Sequence, residues 1–260
     1  MPVGRLESHL RRVRDGGRKL LVPYITGGLD GWVDAIRQAA AHGADAVEVG
    51  IPFSDPVMDG PVIQAASEQA LRSGATPVSI LDEIARLDVQ IPIAVMCYFN
   101  TVHSAGVERF AAMLARAGVA AAIVPDLPLE EVGPWAAAAD EAGVETVMLA
   151  APTAPDERLP RILERCRGFV YAVGLLGVTG EREELASTAL TLARRLKAIT
   201  DMPVLIGVGV SNAQQAREAT EVADGVIQGA SVVRRLMDGG PDAVGAYVAE
   251  VRQALDAPRD

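Results

Sequence analysis

Short apolar runs alternate with amphipathic segments along the whole chain, a pattern that predicts a parallel sheet with crossover helices. The predicted strands are Leu20–Ile25, Ala44–Val49, Ile91–Met96, Val119–Val124, Val144–Leu149, Gly168–Val173, Pro203–Gly207 and Asp224–Gln228. The predicted helices that follow them are Gly31–His42, Val78–Leu87, Val107–Ala117, Leu129–Ala142, Asp156–Cys166, Arg182–Ile199, Asn212–Glu221 and Pro241–Leu255.

Eight strand and helix units within 260 residues predict a closed (β/α)8 barrel, the TIM-barrel fold, and not an open doubly wound sheet. An additional helix over Leu6–Arg14 precedes the first strand and is expected to cover the bottom of the barrel. No linker, low-complexity run or shift in composition divides the chain. We therefore expect residues 1–260 to form one α/β domain.

The composition limits the class of partner. Asp and Glu number 34 against 24 Lys and Arg, a formal charge of −10, which argues against nucleic-acid binding. The apolar runs are too short to span a membrane, and the charged first residues lack the apolar core of a signal peptide. Cys97 and Cys166 offer neither a disulfide framework nor metal-ligand spacing. These features favour a cytoplasmic protein that binds a small molecule.

Two carboxylates mark the candidate catalytic site. Glu48 interrupts an apolar strand, where burial would raise its pKa and suit it to proton transfer. Asp59 follows on a loop rich in Gly and Pro, between Gly50 and Pro61, in which a helix cannot form. Alone, Glu48 also fits a buried acid paired with a neighbouring strand, and Asp59 also fits a surface turn. Their joint presence in one segment favours a catalytic role for both.

The carboxyl ends of the predicted strands carry the reactive side chains, as in other barrels of this type. We expect all of them to converge on one face. They are Tyr24, Glu48, Asp59, Asn100, Asp126, Tyr171, Thr179 and Gly209.

Glycine segments follow the last three strands and indicate an anion site. They are Gly177–Gly180, Gly207–Ser211 and Gln228–Ser231, and a short helix over Ala230–Leu236 is predicted after the last. Backbone amides at such positions bind phosphate without a basic side chain, and glycine allows the anion to approach closely. Each segment alone also fits an ordinary turn. Together they predict a phosphate site.

The residues and their order resemble the α subunit family of tryptophan synthase. The resemblance covers the whole chain. It rests on VEVGIPFSDPVMDG (Val47–Gly60), PYITGG around Tyr24, MCYFN (Met96–Asn100), PDLPLEE (Pro125–Glu131), APTAPDERL (Ala151–Leu159) and the three glycine segments. It implies a lyase that splits indole-3-glycerol phosphate into indole and glyceraldehyde 3-phosphate.

The resemblance also implies roles for individual residues. Glu48 would be the general acid and base, and Asp59 would accept the indole N–H. Tyr171 would contact the glutamate. Substrate binding would involve Tyr24, Tyr171 and Thr179, with phosphate at Gly180, Gly209, Gly229 and Ala230. No cofactor is expected in this chain, because pyridoxal phosphate belongs to the β subunit with which the family forms α2β2 assemblies.

The chain departs from the family pattern at several positions. Ala230 replaces a usual serine at the phosphate site, Gly174 and Leu175 replace a serine and a polar residue in the lid, and Met58 replaces a smaller residue beside Asp59. Three alternatives therefore stay open: a stand-alone lyase of a side pathway, a weakly active subunit that mainly activates a β partner, and another sugar-phosphate barrel enzyme. Retention of Glu48, Asp59 and Tyr171 argues against an inactive subunit.

Overall fold

A closed parallel barrel forms the centre of the molecule. The structure is a computed structural model and describes residues 3–174, 187–207 and 209–258. Each strand pairs with the next, and the last pairs with the first. The eight strands are β1 Leu20–Thr26, β2 Val47–Gly50, β3 Ile93–Met96, β4 Ala121–Ile123, β5 Glu145–Ala150, β6 Val170–Ala172, β7 Val204–Ile206 and β8 Gly225–Gln228. The TIM-barrel prediction is confirmed.

Helices surround this barrel. Within the described ranges they are α1 Arg5–Asp15, α2 Trp32–Ala41, α3 Pro61–Arg72, α4 Pro77–Ile84, α5 Phe99–Ala105, α6 Val107–Arg116, α7 Gly133–Ala142, α8 Arg158–Arg165, α9 Ser187–Lys197, α10 Ala213–Ala219 and α11 Ala230–Asp256. Each predicted helix has a counterpart, although the first part of the segment predicted at residues 182–199 lies outside the described residues.

Two helices were not predicted: α3, which follows β2, and α5, which follows β3. The segment after Asp59 becomes helical at Pro61, since proline is well tolerated in a first helical turn. The other unpredicted helix, α5, begins at Phe99 without a cap from its own N-cap side chain. The carboxylate of Asp126 instead accepts a hydrogen bond from Phe99 N at 2.8 Å, across 27 residues of sequence. A cap from another loop leaves no local sequence signal.

The additional N-terminal helix packs against the bottom of the barrel, as predicted. The carboxylate of Glu145 on β5 accepts hydrogen bonds from Leu6 N at 2.6 Å and Glu7 N at 3.0 Å. The first amide groups of a helix have no hydrogen-bond acceptor within the helix. A negative charge at this end also interacts favourably with the helix dipole. Leu6 and Leu10 are fully buried against the interior cluster of the barrel. Glu145 therefore fixes where this helix docks.

The last helix is broken near its middle. Gly240 has φ 70° and ψ −169°, and Pro241 follows it. Since a positive φ favours glycine and proline cannot continue the preceding helical hydrogen bonds, the chain changes direction here. The first half of α11 comes just after β8 and includes the short helix predicted over Ala230–Leu236. The second half contributes buried residues such as Tyr247 and Val251.

Candidate active site

Glu48 lies on β2, and its carboxylate is buried. It is 1 % exposed, and both carboxylate oxygens lack a partner among the described residues. Burial raises the pKa of Glu48 to about 8, and the nearby charge of Asp59 acts in the same direction. An ionised carboxylate held without a partner is costly. The site therefore favours a neutral Glu48 that can both donate and accept a proton near neutral pH.

Two tyrosines lie near Glu48. Tyr24 on β1 is the register partner of Glu48, and Tyr171 extends from β6. Burial raises the pKa of both phenols, and the charge of Glu48 contributes to each shift. Both hydroxyls are therefore neutral hydrogen-bonding groups. The structure thus brings together three residues that the sequence predicted for one site.

A glycine on the neighbouring strand or loop accommodates each of these tyrosines. A Cβ atom at Gly50 would overlap the hydroxyl group of Tyr24, and a Cβ atom at Gly207 would overlap the ring of Tyr171. The sequence pattern assigned Gly207 to the phosphate segment. In the structure its close neighbour is Tyr171, so this glycine provides space for a ring beside Glu48.

Asp59 lies on the loop between β2 and α3 and is half-buried. Burial raises the pKa of Asp59, while the neighbouring Tyr98 hydroxyl acts in the opposite direction. The two acids therefore experience different environments, because no hydroxyl opposes the effect of burial on Glu48.

Tyr98 is a site residue that the sequence reasoning missed. Its hydroxyl oxygen accepts a hydrogen bond from Met58 N at 2.9 Å, and its ring stacks on Phe53 with 5.2 Å between centroids. Burial raises the pKa of Tyr98 to about 12, so the phenol stays neutral. Tyr98 thus holds the loop that carries Asp59. The signals in the sequence were its position just after a predicted strand and its place in the MCYFN motif.

The glycines of the proposed phosphate site lie at the ends of β7 and β8. Gly209 has φ 84°, a conformation that favours glycine, and follows β7. Gly229 follows β8 directly and precedes Ala230, the first residue of α11. Thr179 and Gly180, together with Leu175, lie outside the described residues. The described part of this region therefore consists of two glycine turns and the start of a helix.

The remaining residues predicted at this face have structural contacts. Asp126 caps α5, as described above. Asn100 is exposed on that helix, and its side-chain oxygen accepts a hydrogen bond from Ser104 Oγ at 3.4 Å. Among the described residues, no group of three or more His, Cys, Asp or Glu side chains is placed to bind a metal ion. Over the same residues, no helix is long and apolar enough to cross a membrane.

Comparison with known proteins places this geometry in a family. The family model for the tryptophan synthase alpha chain matches residues 10–255. The chain is 45 % identical to the tryptophan synthase alpha chain of Streptomyces coelicolor over 245 residues, which cover 92 % of this chain and 90 % of that one. It is 40 % identical to the alpha chain of Prochlorococcus marinus, with 96 % and 94 % covered.

Solved structures agree with these sequence relatives. A structure of Mycobacterium tuberculosis tryptophan synthase matches with a TM-score of 0.91 and 36 % identity, covering 99 % of this chain and 100 % of that chain. The tryptophan synthase alpha chain of Legionella pneumophila matches with a TM-score of 0.88 and 30 % identity, with 98 % of each chain covered. The chain therefore belongs to the tryptophan synthase alpha chain family, whose members are carbon-carbon lyases.

Proposed function

We propose that Glu48 and Asp59 together cleave indole-3-glycerol phosphate, the reaction of this family, into indole and glyceraldehyde 3-phosphate. The observation that carries the proposal is the fully buried Glu48 carboxylate, which has no hydrogen-bond partner in the part of the chain that the structure describes and a pKa raised to about 8. A group so costly to keep buried is typical of a catalytic acid or base. Its position at the carboxyl end of a barrel strand agrees with this role.

Glu48 has two proton transfers to perform in this proposal. It donates a proton to the indole ring carbon that carries the glycerol chain, and it then removes the proton of the adjacent glycerol hydroxyl. The carbon-carbon bond breaks, its electron pair returns to the ring, and the hydroxyl carbon becomes the aldehyde. A pKa near 8 suits both transfers, since the group then changes its protonation state at little cost near neutral pH.

Asp59 stabilises the intermediate in this proposal. Protonation of the ring carbon places positive charge on the indole nitrogen, and a carboxylate that accepts the N–H hydrogen bond lowers the energy of that cation. Burial raises the pKa of Asp59, and the Tyr98 hydroxyl limits that rise, which favours the ionised form that this role requires. Tyr24 and Tyr171 bind the substrate beside Glu48.

The phosphate group would bind to backbone amides near Gly180, Gly209 and Gly229, with Ala230 at the start of α11. The positive φ of Gly209 and the helix that begins at Ala230 support this assignment, since helix starts carry amide groups and a partial positive charge. Ala230 supplies no hydroxyl. The site therefore depends on backbone groups at this position.

The proposal includes a β subunit as partner in an α2β2 assembly, to which indole is passed and which carries the pyridoxal phosphate. Its support is membership of the family. A cytoplasmic location is also proposed, and its support is the pair of free, buried cysteines.

The decisive experiment measures indole release from indole-3-glycerol phosphate by this chain alone and with increasing β subunit. Release that rises with the β subunit supports the proposed assembly. Release that is high and unaffected by β identifies a stand-alone lyase. Failure to release indole under either condition would overturn the proposed reaction.

A further inference from the structure

Tyr247 joins the two glycine turns of the proposed phosphate site. Its hydroxyl group donates a hydrogen bond to the Ser211 carbonyl oxygen at 3.0 Å and accepts one from Gln228 Nε2 at 2.9 Å. Ser211 lies two residues after Gly209, and Gln228 directly precedes Gly229. One phenol on the last helix therefore connects the loop after β7 with the end of β8.

The environment of Tyr247 fixes this bridge in place. The residue is 2 % exposed, and burial raises the pKa of its phenol, so the hydroxyl stays neutral and keeps its proton. A neutral phenol has one hydrogen to donate, and here that hydrogen is used on Ser211. The guanidinium carbon of Arg235 lies 3.6 Å above the ring centroid. Because Arg235 precedes the break at Gly240 and Tyr247 follows it, this contact also joins the two halves of α11.

Further hydrogen bonds hold both turns in the same network. Ser211 N and Ser211 Oγ donate to Gln215 Oε1 at 2.7 and 2.8 Å. Arg235 Nη1 donates to the Ser231 carbonyl oxygen at 2.9 Å. Ser211 is thus held by both Gln215 and Tyr247, and Ser231 by Arg235, whose guanidinium group lies over the Tyr247 ring. Gln228 itself is 1 % exposed, so its bond to Tyr247 is not in competition with water.

We propose that Tyr247 and Gln228 are positioning residues for the substrate phosphate: they hold the amide groups of the two glycine turns at the separation that an anion needs. The inference rests on the proposed function, since it assumes that phosphate binds there. Backbone amides bind an anion well only when they already point at it, because an arrangement that must form on binding loses affinity. Neither residue touches the reacting atoms, so the effect falls on affinity and not on turnover.

The test compares Tyr247→Phe with the parent protein. Phenylalanine keeps the ring under Arg235 but removes both hydrogen bonds of the hydroxyl. The dissociation constant of inorganic phosphate, measured by calorimetry, should rise about fivefold or more, the factor expected for one buried hydrogen bond. KM for indole-3-glycerol phosphate should rise in parallel, with kcat within about twofold of the parent. Gln228→Met should have a similar effect, and the double variant should be no worse than either single one.

The matched control is Ile162→Val, which removes one methylene group from a buried residue of α8 and lowers stability without touching either turn. It should leave phosphate affinity unchanged. Unchanged phosphate affinity in Tyr247→Phe and Gln228→Met would overturn the inference, even with lyase activity intact. Equal weakening in Ile162→Val would also overturn it, since general destabilisation would then be the cause. Because phosphate binding is measured without turnover, absence of lyase activity in the parent would count against the proposed function alone.

Discussion

Glu48 faces Tyr24 across the parallel pair β1 and β2, yet its carboxylate makes no hydrogen bond to that tyrosine or to any other described residue. The phenols and apolar groups around this acid do not compensate the charge of its ionised form. The ionised form is therefore costly in the folded chain, and the neutral form is favoured.

Glu48→Gln should abolish indole release while the protein stays folded. The amide has nearly the same shape but cannot transfer a proton, so kcat should fall about 10²-fold or more. On the same preparation, the thermal unfolding temperature should equal or exceed that of the parent. The dissociation constant of inorganic phosphate should equal that of the parent. Turnover within about tenfold of the parent would remove Glu48 from the mechanism.

Stability should depend on pH through the same residue. The pKa of Glu48 is raised from its ordinary value of 4.5 to about 8 in the folded chain, so between these values the folded state holds a proton that the unfolded state has lost. Stability therefore falls as pH rises through this window, by at most about 1.4 kcal/mol per pH unit, and levels off above it.

The measurement is urea unfolding of the parent and of Glu48→Gln across that window. The difference in free energy of unfolding, variant minus parent, should increase steadily with pH and then level off. A difference that does not change with pH would show that Glu48 titrates near its ordinary value.

Asp59→Asn should lower kcat about 10²-fold or more, because a neutral amide stabilises a cationic intermediate much less than a carboxylate does. Steady-state kinetics separates this effect from binding. If KM rose and kcat stayed the same, Asp59 would position the substrate and would not stabilise charge.

Tyr98→Phe should shift the pH profile of turnover. The Tyr98 hydroxyl lowers the pKa of Asp59, so its removal raises that pKa, and the acidic limb of kcat against pH should move to higher pH. The loss of the hydrogen bond from Met58 N also frees the loop that carries Asp59. A profile that keeps its position, with only a uniform loss of rate, would mean that Tyr98 serves the loop alone.

Gly229→Ala tests whether backbone amides bind the phosphate. The φ of Gly229 is −98°, and an added Cβ would meet only Ile63 Cδ1 at 3.4 Å, so the fold should tolerate alanine. A methyl group beside the anion should nevertheless raise the phosphate dissociation constant about tenfold. Gly133→Ala, at the start of α7 with nothing near its added Cβ, is the matched control and should leave binding unchanged. Equal affinities in both variants would place the anion elsewhere.

The sequence predicted those features that depend on local order in the chain. Three such features are visible within a few residues of sequence. They are the alternation of strand and helix segments, the single acid Glu48 in an apolar strand, and the glycines Gly209 and Gly229 after strands. Tyr98 could not be found in this way, because its role comes from a contact with Met58, which lies 40 residues earlier. The role of Gly207 as space for Tyr171 likewise requires the pairing of β6 with β7. The start of α5 depends on Asp126 from another loop.

The contact between Glu145 and the first helix has a consequence for synthesis of the chain. Leu6 leaves the ribosome long before Glu145, which follows it by 139 residues. Until β5 has been synthesised, the amide groups at the start of α1 have no carboxylate to accept their hydrogen bonds. The apolar face of α1 also has no barrel to pack against. Helix α1 therefore cannot reach its final place until the chain has been synthesised as far as β5.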